Sequence, residues 1–593
     1  MLPSGSQDKA MLSRSSNMLK MLLMLLAVVL SAATQANAAV IDVPGDQPTI
    51  QAAIGVAVAG DVIVVQPGVY QEQIDFLGKA IVIKSDGGPE VTTIDGMGMG
   101  TVVKAVSGET SKSVLSGFRV RNGADVTGGG VRIIDSSPAI VNCHIINSNA
   151  TFGGGVYTQG GDPQLLECCI ANNTASNGAG LFATGNATAV ECHFIENIAS
   201  FTGGGIQVED GNLELSNSLI QNNEAGFNQE QQGTGGGIHA IESTVLVSDL
   251  ELLENRAWTA GGIWSYRCEI QFVEAIFNRN IAKIDGAAVY GIHGSHGYER
   301  CEIRNGEAQS GAGLMHLESH VVVVDCEFEG NMASVSGGGF HGQSLAGGSC
   351  IFASTFNQNI ADVGAGLFMT QTTGFNLNAT VFVSNEASSH GGGLCFQGMG
   401  FQSHGCVMLG NISSQHGAGS SLIDSTGQFY GLTAGQNNAT ADGGVAHIEG
   451  GFIYYFGSEM QSNQASLGGG VACRACEVDV SGSRIRINDA DVAGGGFHID
   501  AAGMLKLGGT TVCGNAPDQI IGPFLEIAPN VIADECGSCT GDVDLDEFVG
   551  IDDLLAVVAA WGGCGLCPED TNEDGVVDIV DLLAVLENWG WCP

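Results

Sequence analysis

The chain has 593 residues, of which 90 are glycine, and only 14% are charged. Its 63 acidic against 20 basic residues give a formal net charge of −43, which excludes nucleic acid as a partner because phosphate binding requires clustered Lys and Arg. Hydrophobic residues make up 44% of the chain, enough for a large core, and so much glycine with so little charge is typical of a repeat protein.

The first 38 residues are typical of a secretory signal peptide. Arg14 and Lys20 supply its positive region, residues 21–30 (MLLMLLAVVL) its apolar stretch, and residues 36–38 (ANA) an A-x-A cleavage site. The apolar run is too short to cross a membrane, and no later segment is a candidate span. We therefore predict an extracellular protein, secreted or held at the cell surface, with no membrane span in the mature chain.

Residues 39–530 are predicted to form an all-β domain, a right-handed single-stranded parallel β-helix with an N-terminal cap. Residues 49–59 (TIQAAIGVAVA) have helical propensity and are expected to cover the open end of the core. A strand at 61–65 then leads into the first turns through Pro67 and Gly68. A cap is needed because an uncovered end of the β-helix exposes a strand edge.

A glycine cluster recurs fifteen times in this domain. Its first residue recurs at steps of 25 to 27, apart from one step of 32 that contains 227–233 (FNQEQQG) and is interpreted as a loop inserted into one turn. The first glycines are Gly128, Gly153, Gly178, Gly203, Gly235, Gly261, Gly286, Gly311, Gly337, Gly364, Gly391, Gly417, Gly443, Gly468 and Gly494. This regularity predicts a solenoid, and adjacent glycines, at about 1 kcal/mol each, disfavour a helical one.

The repeats also carry an apolar residue three positions before an asparagine. Parallel strands stack about 4.8 Å apart, so a residue that recurs once per turn stacks on itself, and stacked asparagines can donate their amides from turn to turn. The pairs are Phe194/Asn197, Phe277/Asn280, Phe328/Asn331, Phe356/Asn359, Phe382/Asn385, Met408/Asn411 and Met460/Asn463, with Asn222, Asn255, Asn437, Asn488 and Asn515 extending the series. The pattern predicts an internal asparagine ladder.

Two resemblances accompany these patterns. The segment TIQAAIGVAVAGDVIVVQPGVYQEQI, with GKAIVI and TTIDG after it, resembles the opening of pectin-lyase-like β-helix proteins. The alternation of GGG[VIL] and F-x-x-N is similar to the repeats of bacterial polymorphic outer-membrane proteins and adhesins. Together they cover roughly residues 40–530 and imply the fold, but they leave the function open because this scaffold carries lyases, hydrolases, esterases and binding proteins.

The last segment, 531–593, is predicted to be a small α-helical domain with paired calcium loops. Two acidic loops repeat with a 28-residue offset, and each is followed by an apolar helix that ends in Trp-Gly. Oxygen ligands at loop positions 1, 3, 5, 7 and 12 are typical of an EF-hand-like loop. The first loop has Glu547 at position 6, where a sharp turn favours glycine, so we expect weaker binding there.

This pair of loops resembles a type I dockerin, a module that docks onto cohesin domains and often tethers polysaccharide-degrading enzymes. The resemblance implies Ca²⁺ as the cofactor and assigns its ligands to Asp542, Asp544, Asp546, Asp553, Asp570, Asn572, Asp574, Asp578 and Asp581. Just before position 12 the chain has Ile551-Asp552 and Ile579-Val580, where the family usually has a small hydroxyl pair. A cohesin-like or cell-surface protein is the implied partner of this module.

No complete catalytic motif is evident, so the sequence leans away from an enzyme. Arg484 and Arg486 (SRIRIN) are the nearest basic cluster to the one that lyases of this fold combine with acidic calcium ligands, although ordinary outward charges are the simpler interpretation. His390, His416 and Asp442 each precede a glycine cluster at 26-residue steps and are expected to stack in three adjacent turns. They could bind a metal or move protons, or they merely share a stack.

Three functional hypotheses follow. The favoured one is an extracellular β-helix that contacts polysaccharide or a cell surface and carries a calcium-dependent docking module. The second is a polysaccharide lyase or glycoside hydrolase tethered through its dockerin-like module. The third is a non-catalytic, adhesin-like structural protein whose long face presents loops.

Overall fold

A computed structural model of the chain describes residues 38–227, 232–536, 541–543, 548–563, 567–572, 576–587 and 590–591. Residues 1–37 of the predicted signal peptide, and 228–231 of the predicted loop, lie outside the described residues. The structure is predominantly β and forms a right-handed parallel β-helix, as the repeat predicted. No helix among the described residues has the length and apolar character needed to cross a membrane.

The chain divides into two compact units. The first comprises Met1–Ala361 and Gly366–Phe368, and the second comprises Asp362–Ala365 and Met369–Pro593.

The first unit begins with the predicted cap. Strand Val40–Val43 pairs in parallel with Val62–Val65, and helix α1, Ile50–Val56, lies between them in the chain. The Thr49 side chain caps α1 by accepting a hydrogen bond from a first-turn amide at 3.1 Å. The buried residues of α1 are Ile50, Ala53 and Ile54. The helix is shorter than the predicted 49–59 because the backbone becomes extended at Ala57.

Most later turns of the first unit contain four short strands; in two turns one ten-residue strand, Asn212–Gln221 or Thr244–Leu253, replaces two of them. One full turn consists of Val131–Ile134, Ala139–Val141, His144–Ile146 and Asn149–Phe152, and the next of Val156–Gln159, Gln164–Leu166, Cys169–Ala171 and Thr174–Asn177. Corresponding strands pair in parallel 25 residues apart, as Val131 does with Val156. The period of the glycine repeat is therefore one complete turn.

The second unit is built in the same way. One turn consists of Ala446–Glu449, Phe452–Phe456, Glu459–Gln461 and Gln464–Leu467. The turn before it consists of Ser420–Ile423, Thr426–Tyr430, Thr433–Gly435 and Asn438–Ala439, and the turn after it of Val471–Arg474, Glu477–Ser481, Arg484–Arg486 and Asp489–Ala493. All of these strands pair in parallel with their counterparts.

Sharp corners with a left-handed backbone join the strands and explain the glycine repeat. In one turn the corner residues, all with φ between 55° and 72°, are Gly443, Gly450, Gly457 and Ser462. A Cβ on Gly443 would collide with the carbonyl oxygen of Ala446, so glycine is required there by close approach as well as by its φ.

The asparagine ladder lies in the interior of both units. In the second unit each Nδ2 donates to the Oδ1 of the next asparagine at 2.9 Å, along the series Asn385, Asn411, Asn437, Asn463, Asn488 and Asn515. In the first unit the same bond, at 2.9 to 3.2 Å, joins Asn173, Asn197, Asn223, Asn255 and Asn280, and separately Asn331 and Asn359. The ladder satisfies a polar group that would otherwise be buried alone.

Two positions differ by one residue from the sequence prediction. The ladder residue is Asn223 and not Asn222, since Asn222 forms a left-handed corner (φ 54°) and Asn223 is the buried residue that follows it. The corner predicted at Gly261 is Ala260, with φ 59°. In each case a residue other than glycine occupies the left-handed corner, so counting from glycines or asparagines misplaces the register.

The C-terminal segment contains the two predicted helices. Helix α2 spans Ile551–Ala559 and helix α3 spans Ile579–Glu587, an offset of 28 residues. Two short antiparallel strand pairs accompany them, Phe548–Val549 with Gly590–Trp591 and Gly562–Gly563 with Val576–Val577. The buried core of this segment consists of Val543, Val549, Val557, Val577 and Val585.

Candidate functional site

The structure places His390, His416 and Asp442 in three successive turns of the second unit. The imidazole rings of His390 and His416 stack with their centroids 5.1 Å apart, and Nδ1 of His416 lies 3.2 Å from Oδ2 of Asp442. Each residue immediately precedes the left-handed glycine of its turn. The stacking of the turns therefore brings three chemically active side chains into one column.

Two residues that the sequence did not single out complete this cluster. The His447 ring stacks on His416 at 4.7 Å, with its Nδ1 3.9 Å from Oδ2 of Asp442, and the Arg474 guanidinium forms an ion pair with the same oxygen. Arg474 lies in the short loop that the Cys473–Cys476 disulfide closes. The usable sequence signal was the five-residue spacing from Asp442 to His447, at which corner and strand side chains meet in this fold.

Burial favours the neutral form of two histidines of this cluster, His390 and His447. Burial lowers the pKa of His447 to about 3, and the proximity of His416, Arg474 and His390 also disfavours a positive charge there. The pKa of His390 is also lowered by burial and then by His416. The Nδ1 atoms of His390, His416 and His447 form no hydrogen bond with any described residue. Neutral imidazoles with an unused ring nitrogen can accept a proton or ligate a metal.

Arg484 and Arg486 lie in the turn that also contains Arg474, but on another strand, Arg484–Arg486. Arg486 is buried and forms an ion pair with Oε1 of Glu459 at 2.6 Å. Burial lowers the pKa of Arg484, Glu459 opposes that shift, and Arg486 adds to it. The structure therefore gives Arg486 an internal ion pair, and any catalytic role of the two arginines would be additional to it.

A group of outward aromatic side chains was missed by sequence reasoning. His404, Tyr430 and Phe456 share one register column in three successive turns, and Tyr454 lies beside them. The His404 and Tyr430 rings stack at 4.7 Å, and the Tyr430 ring lies 6.1 Å from that of Tyr454 and 6.2 Å from that of Phe456. We name these four residues the aromatic platform. The sequence signal was FIYYF (452–456), an alternating run whose odd members are aromatic.

Polar groups border the aromatic platform. The Tyr430 hydroxyl donates to Oε1 of Gln428 at 2.7 Å, and Tyr454 is flanked in register by Gln428 and Asp479. Burial raises the pKa of Asp479, and its Oδ1 forms no hydrogen bond with any described residue. Phe456 is 49% exposed. This surface suits a ligand that offers both flat apolar faces and hydroxyl groups.

Six of the nine predicted calcium ligands are described, and Asp544, Asp546 and Asp574 lie outside the described residues. In the first loop Asp542 and Asp553 are buried. The Asp553 carboxylate accepts hydrogen bonds from the amides of Val543 at 2.8 Å and Gly550 at 2.7 Å. Position 12 of this loop is thus drawn to positions 2 and 9, which closes the loop.

The second loop repeats this arrangement around Asp581. Its carboxylate accepts hydrogen bonds from the amides of Thr571, Asn572 and Asp578. Although burial acts to raise it, these hydrogen bonds hold the pKa of Asp581 below its ordinary value. Asp570 and Asn572 lie at the same loop end. Two closed loops with carboxylates and further oxygen donors fit a hard divalent cation.

Comparison with known proteins bears on the fold. Residues 80–245 match a family model described as right handed beta helix region. No curated protein matches the chain in sequence.

Among solved structures, the chain is similar to the Siphovirus 9NA tailspike receptor binding domain (9% identity, TM-score 0.14, covering 85% of this chain and 78% of that one). It is also similar to the catalytic unit of a thermostable GH87 alpha-1,3-glucanase from Streptomyces thermodiastaticus strain HF3-3 (10%, 0.17, 80% and 69%). A third is the PL6 family alginate lyase AlyGC (9%, 0.18, 84% and 100%). At these TM-scores the three similarities carry no conclusion about function.

Proposed function

We propose that this protein is an extracellular β-helix that binds polysaccharide through the aromatic platform. The platform is the observation that carries the proposal. Its rings span three successive turns, about 10 Å along the helix axis at the usual strand spacing. Exposed apolar patches of this kind on soluble proteins mark binding surfaces.

The chemistry around the platform favours a neutral polysaccharide. Sugar rings have flat C–H faces that stack on aromatic rings, and hydroxyl groups that pair with side chains such as Gln428 and Asp479. The chain carries a formal charge of −43, so a polyanionic glycan would be repelled unless cations bridged it to the surface. The repeating turns also offer a polymer equivalent contacts along its length.

The test is binding to a glycan array followed by calorimetric titration of any polysaccharide that binds. Tyr454→Ala and Phe456→Ala should each weaken binding about tenfold or more, since each removes a ring worth about 1.5 kcal/mol or more in contact with a sugar. The matched control is Tyr157→Ala in the first unit, an outward aromatic residue whose ring stacks on Phe182 at 5.7 Å. That variant should bind like the parent chain.

The alternatives give different results in the same experiment. Equal affinity of the platform variants and the parent chain would contradict the proposal. Binding to cells or proteins but to no glycan would favour an adhesin-like structural role. Formation of sugar products that is lost in the Arg484→Ala/Arg486→Ala variant would favour a polysaccharide lyase or glycoside hydrolase.

We further propose that the C-terminal helices dock a partner protein. Each helix presents an apolar stripe at i, i+4 and i+7, and the two stripes are related by the 28-residue duplication. The residues, each 46 to 60% exposed, are Ile551, Leu555 and Val558 on α2 and Ile579, Leu583 and Leu586 on α3. An exposed, duplicated apolar surface of this kind is typical of a protein-binding site. The dockerin-like loops make a cohesin-like or cell-surface protein the partner we propose.

Calcium is the proposed cofactor of this docking module. It would be held by the loop carboxylates, including Asp542 and Asp553 in the first loop and Asp570 and Asp581 in the second, and would neutralise their mutual repulsion. We expect EGTA to lower the melting temperature of this segment in calorimetry and to abolish binding to a cohesin domain. Leu555→Asp/Leu583→Asp should abolish binding but keep the calcium-dependent transition. Identical calorimetric traces with and without calcium would disprove the role of the ion.

A further inference from the structure

The corner before each glycine cluster repeatedly pairs two side chains that are five residues apart. At two such corners of the first unit a hydroxyl lies at hydrogen-bond distance from a histidine: Oγ1 of Thr234 is 2.8 Å from Nδ1 of His239, and Oγ of Ser336 is 2.9 Å from Nδ1 of His341. In these turns the histidine is satisfied within its own corner. They show the corner with its histidine hydrogen-bonded inside the same turn.

The corner of Asp442 and His447 in the second unit is different. The hydroxyl is replaced by a carboxylate, and the preceding turn adds His416 to the same point. The side chains of Asp442 and His447 are only 4% and 3% exposed. Both histidine Nδ1 atoms are directed at this point and still form no hydrogen bond with any described residue. A buried polar atom without a hydrogen-bond partner needs an explanation, and a bound ion is the one that fits two imidazole nitrogens facing a carboxylate.

The distances match those of a coordination sphere. Nδ1 of His416 and Nδ1 of His447 lie 3.2 and 3.9 Å from Oδ2 of Asp442, and one ligand atom from each of the three residues lies within 4.8 Å of the others. Zinc bonds of about 2.1 Å in a tetrahedron place neighbouring ligand atoms about 3.4 Å apart. Small side-chain rotations would therefore bring all three atoms to bonding distance of one ion.

We propose that His416, Asp442 and His447 bind a divalent transition-metal ion of the zinc class. Two imidazoles and one carboxylate are ligands that such an ion prefers, and three protein ligands leave a fourth position open for water or another donor. Nε2 of His447 lies 4.0 Å from Oε2 of Glu449, on the side where a metal-bound histidine usually meets a carboxylate.

Arg474 allows the direction of a change in metal affinity to be predicted. Its guanidinium forms an ion pair with Oδ2 of Asp442, so it occupies the oxygen that the ion would use. The Arg474 side chain is 48% exposed, and it can leave the carboxylate for solvent when an ion binds. Metal and arginine therefore compete for one oxygen, and removal of the arginine should strengthen metal binding.

The experiment is a Co²⁺ titration of the full chain, followed by competition with Zn²⁺, with excess Ca²⁺ present to saturate the C-terminal loops. We expect a visible d–d absorption band at one equivalent of Co²⁺, displaced by Zn²⁺. His447→Ala should weaken Co²⁺ binding at least about 100-fold, and Arg474→Gln should tighten it about tenfold. The matched control is His341→Ala, which removes a histidine from the equivalent strand position of another turn and should leave the band unchanged.

Circular dichroism spectra and melting temperatures would establish that each variant is folded. If His447→Ala does not fold, His416→Gln removes a ligand whose side chain is 19% exposed, and it should lose the band in the same way. The proposal is overturned if the parent chain shows no band, if the band persists in a folded ligand variant, or if Arg474→Gln weakens binding.

Discussion

Asn411 shows how much a single side chain holds together in this fold. Its Nδ2 donates to the carbonyl of Phe382 at 3.0 Å and to Oδ1 of Asn437 at 2.9 Å. Its Oδ1 accepts from the backbone amide and from Nδ2 of Asn385, at 3.1 and 2.9 Å. The side chain is fully buried, so no water could replace these bonds without entering the core.

We therefore expect Asn411→Ala to lower the free energy of unfolding of the second unit by about 4 kcal/mol. The substitution leaves buried donors and acceptors in two neighbouring turns without a partner, at about 1 to 3 kcal/mol each. The control is Asn438→Ala at an exposed position of the next turn, which should change the free energy of unfolding by less than about 0.5 kcal/mol. Urea denaturation followed by circular dichroism measures both; a loss below about 1 kcal/mol in Asn411→Ala would contradict the ladder's role.

At the scale of elements, the turns were predictable because parallel stacking demands recurrence. A residue such as Gly443 or Asn437 contacts the equivalent residue of the next turn. Equivalent residues therefore recur at a regular spacing that can be read from the sequence. The predicted period, ladder and cap agree with the strands that the structure shows. The errors at Asn222 and Gly261 have one cause, since a left-handed corner accepts other residues and the count then shifts by one.

The candidate sites were less predictable because function does not need to recur. His390, His416 and Asp442 were found through their common position before a glycine, but His447 comes from a strand and Arg474 from the turn after it. The aromatic platform combines His404 and Tyr430 with a local alternating run. Only the register between turns reveals that these side chains meet, and register depends on loop lengths that sequence counting resolves poorly.

At the scale of the whole molecule, buried histidines make stability depend on pH. Burial lowers the pKa of His239 and His296 to about 3 and that of His341 to about 4, and burial with the neighbouring His296 lowers the pKa of His316. In the unfolded chain each titrates near pH 6.5. As the pH falls below that value, protons bind the unfolded chain first. The contribution of these histidines to the free energy of unfolding is therefore fully present above about pH 6.5 and is lost as the pH falls towards the folded pKa values.

Each such histidine should contribute a slope of about 1.4 kcal/mol per pH unit between about pH 6 and pH 4. Carboxylates also titrate in this range and change the net charge. The informative quantity is therefore the difference in unfolding free energy between the parent chain and His341→Gln. Urea denaturation at pH 7, 6, 5 and 4 measures this difference. The free energy of unfolding should fall less steeply with decreasing pH in the variant, by about 1.4 kcal/mol per pH unit, which is the slope for one proton. Parallel curves for the two proteins would show that His341 is not the titrating group.

The asparagine ladder of the second unit also has a direction. Every Nδ2 points to the turn that follows it in the chain, from Asn385 to Asn515, so the C-terminal end of the series always presents an open donor. Gln519 closes that end, because its Oε1 accepts from Nδ2 of Asn515 at 2.8 Å and its Nε2 returns a hydrogen bond to the Asn515 carbonyl at 3.0 Å. Gln519 therefore terminates the ladder: whole turns can be gained or lost by duplication ahead of it, but a chain that ended before Gln519 would leave the last ladder amide without the acceptor that the next turn supplies.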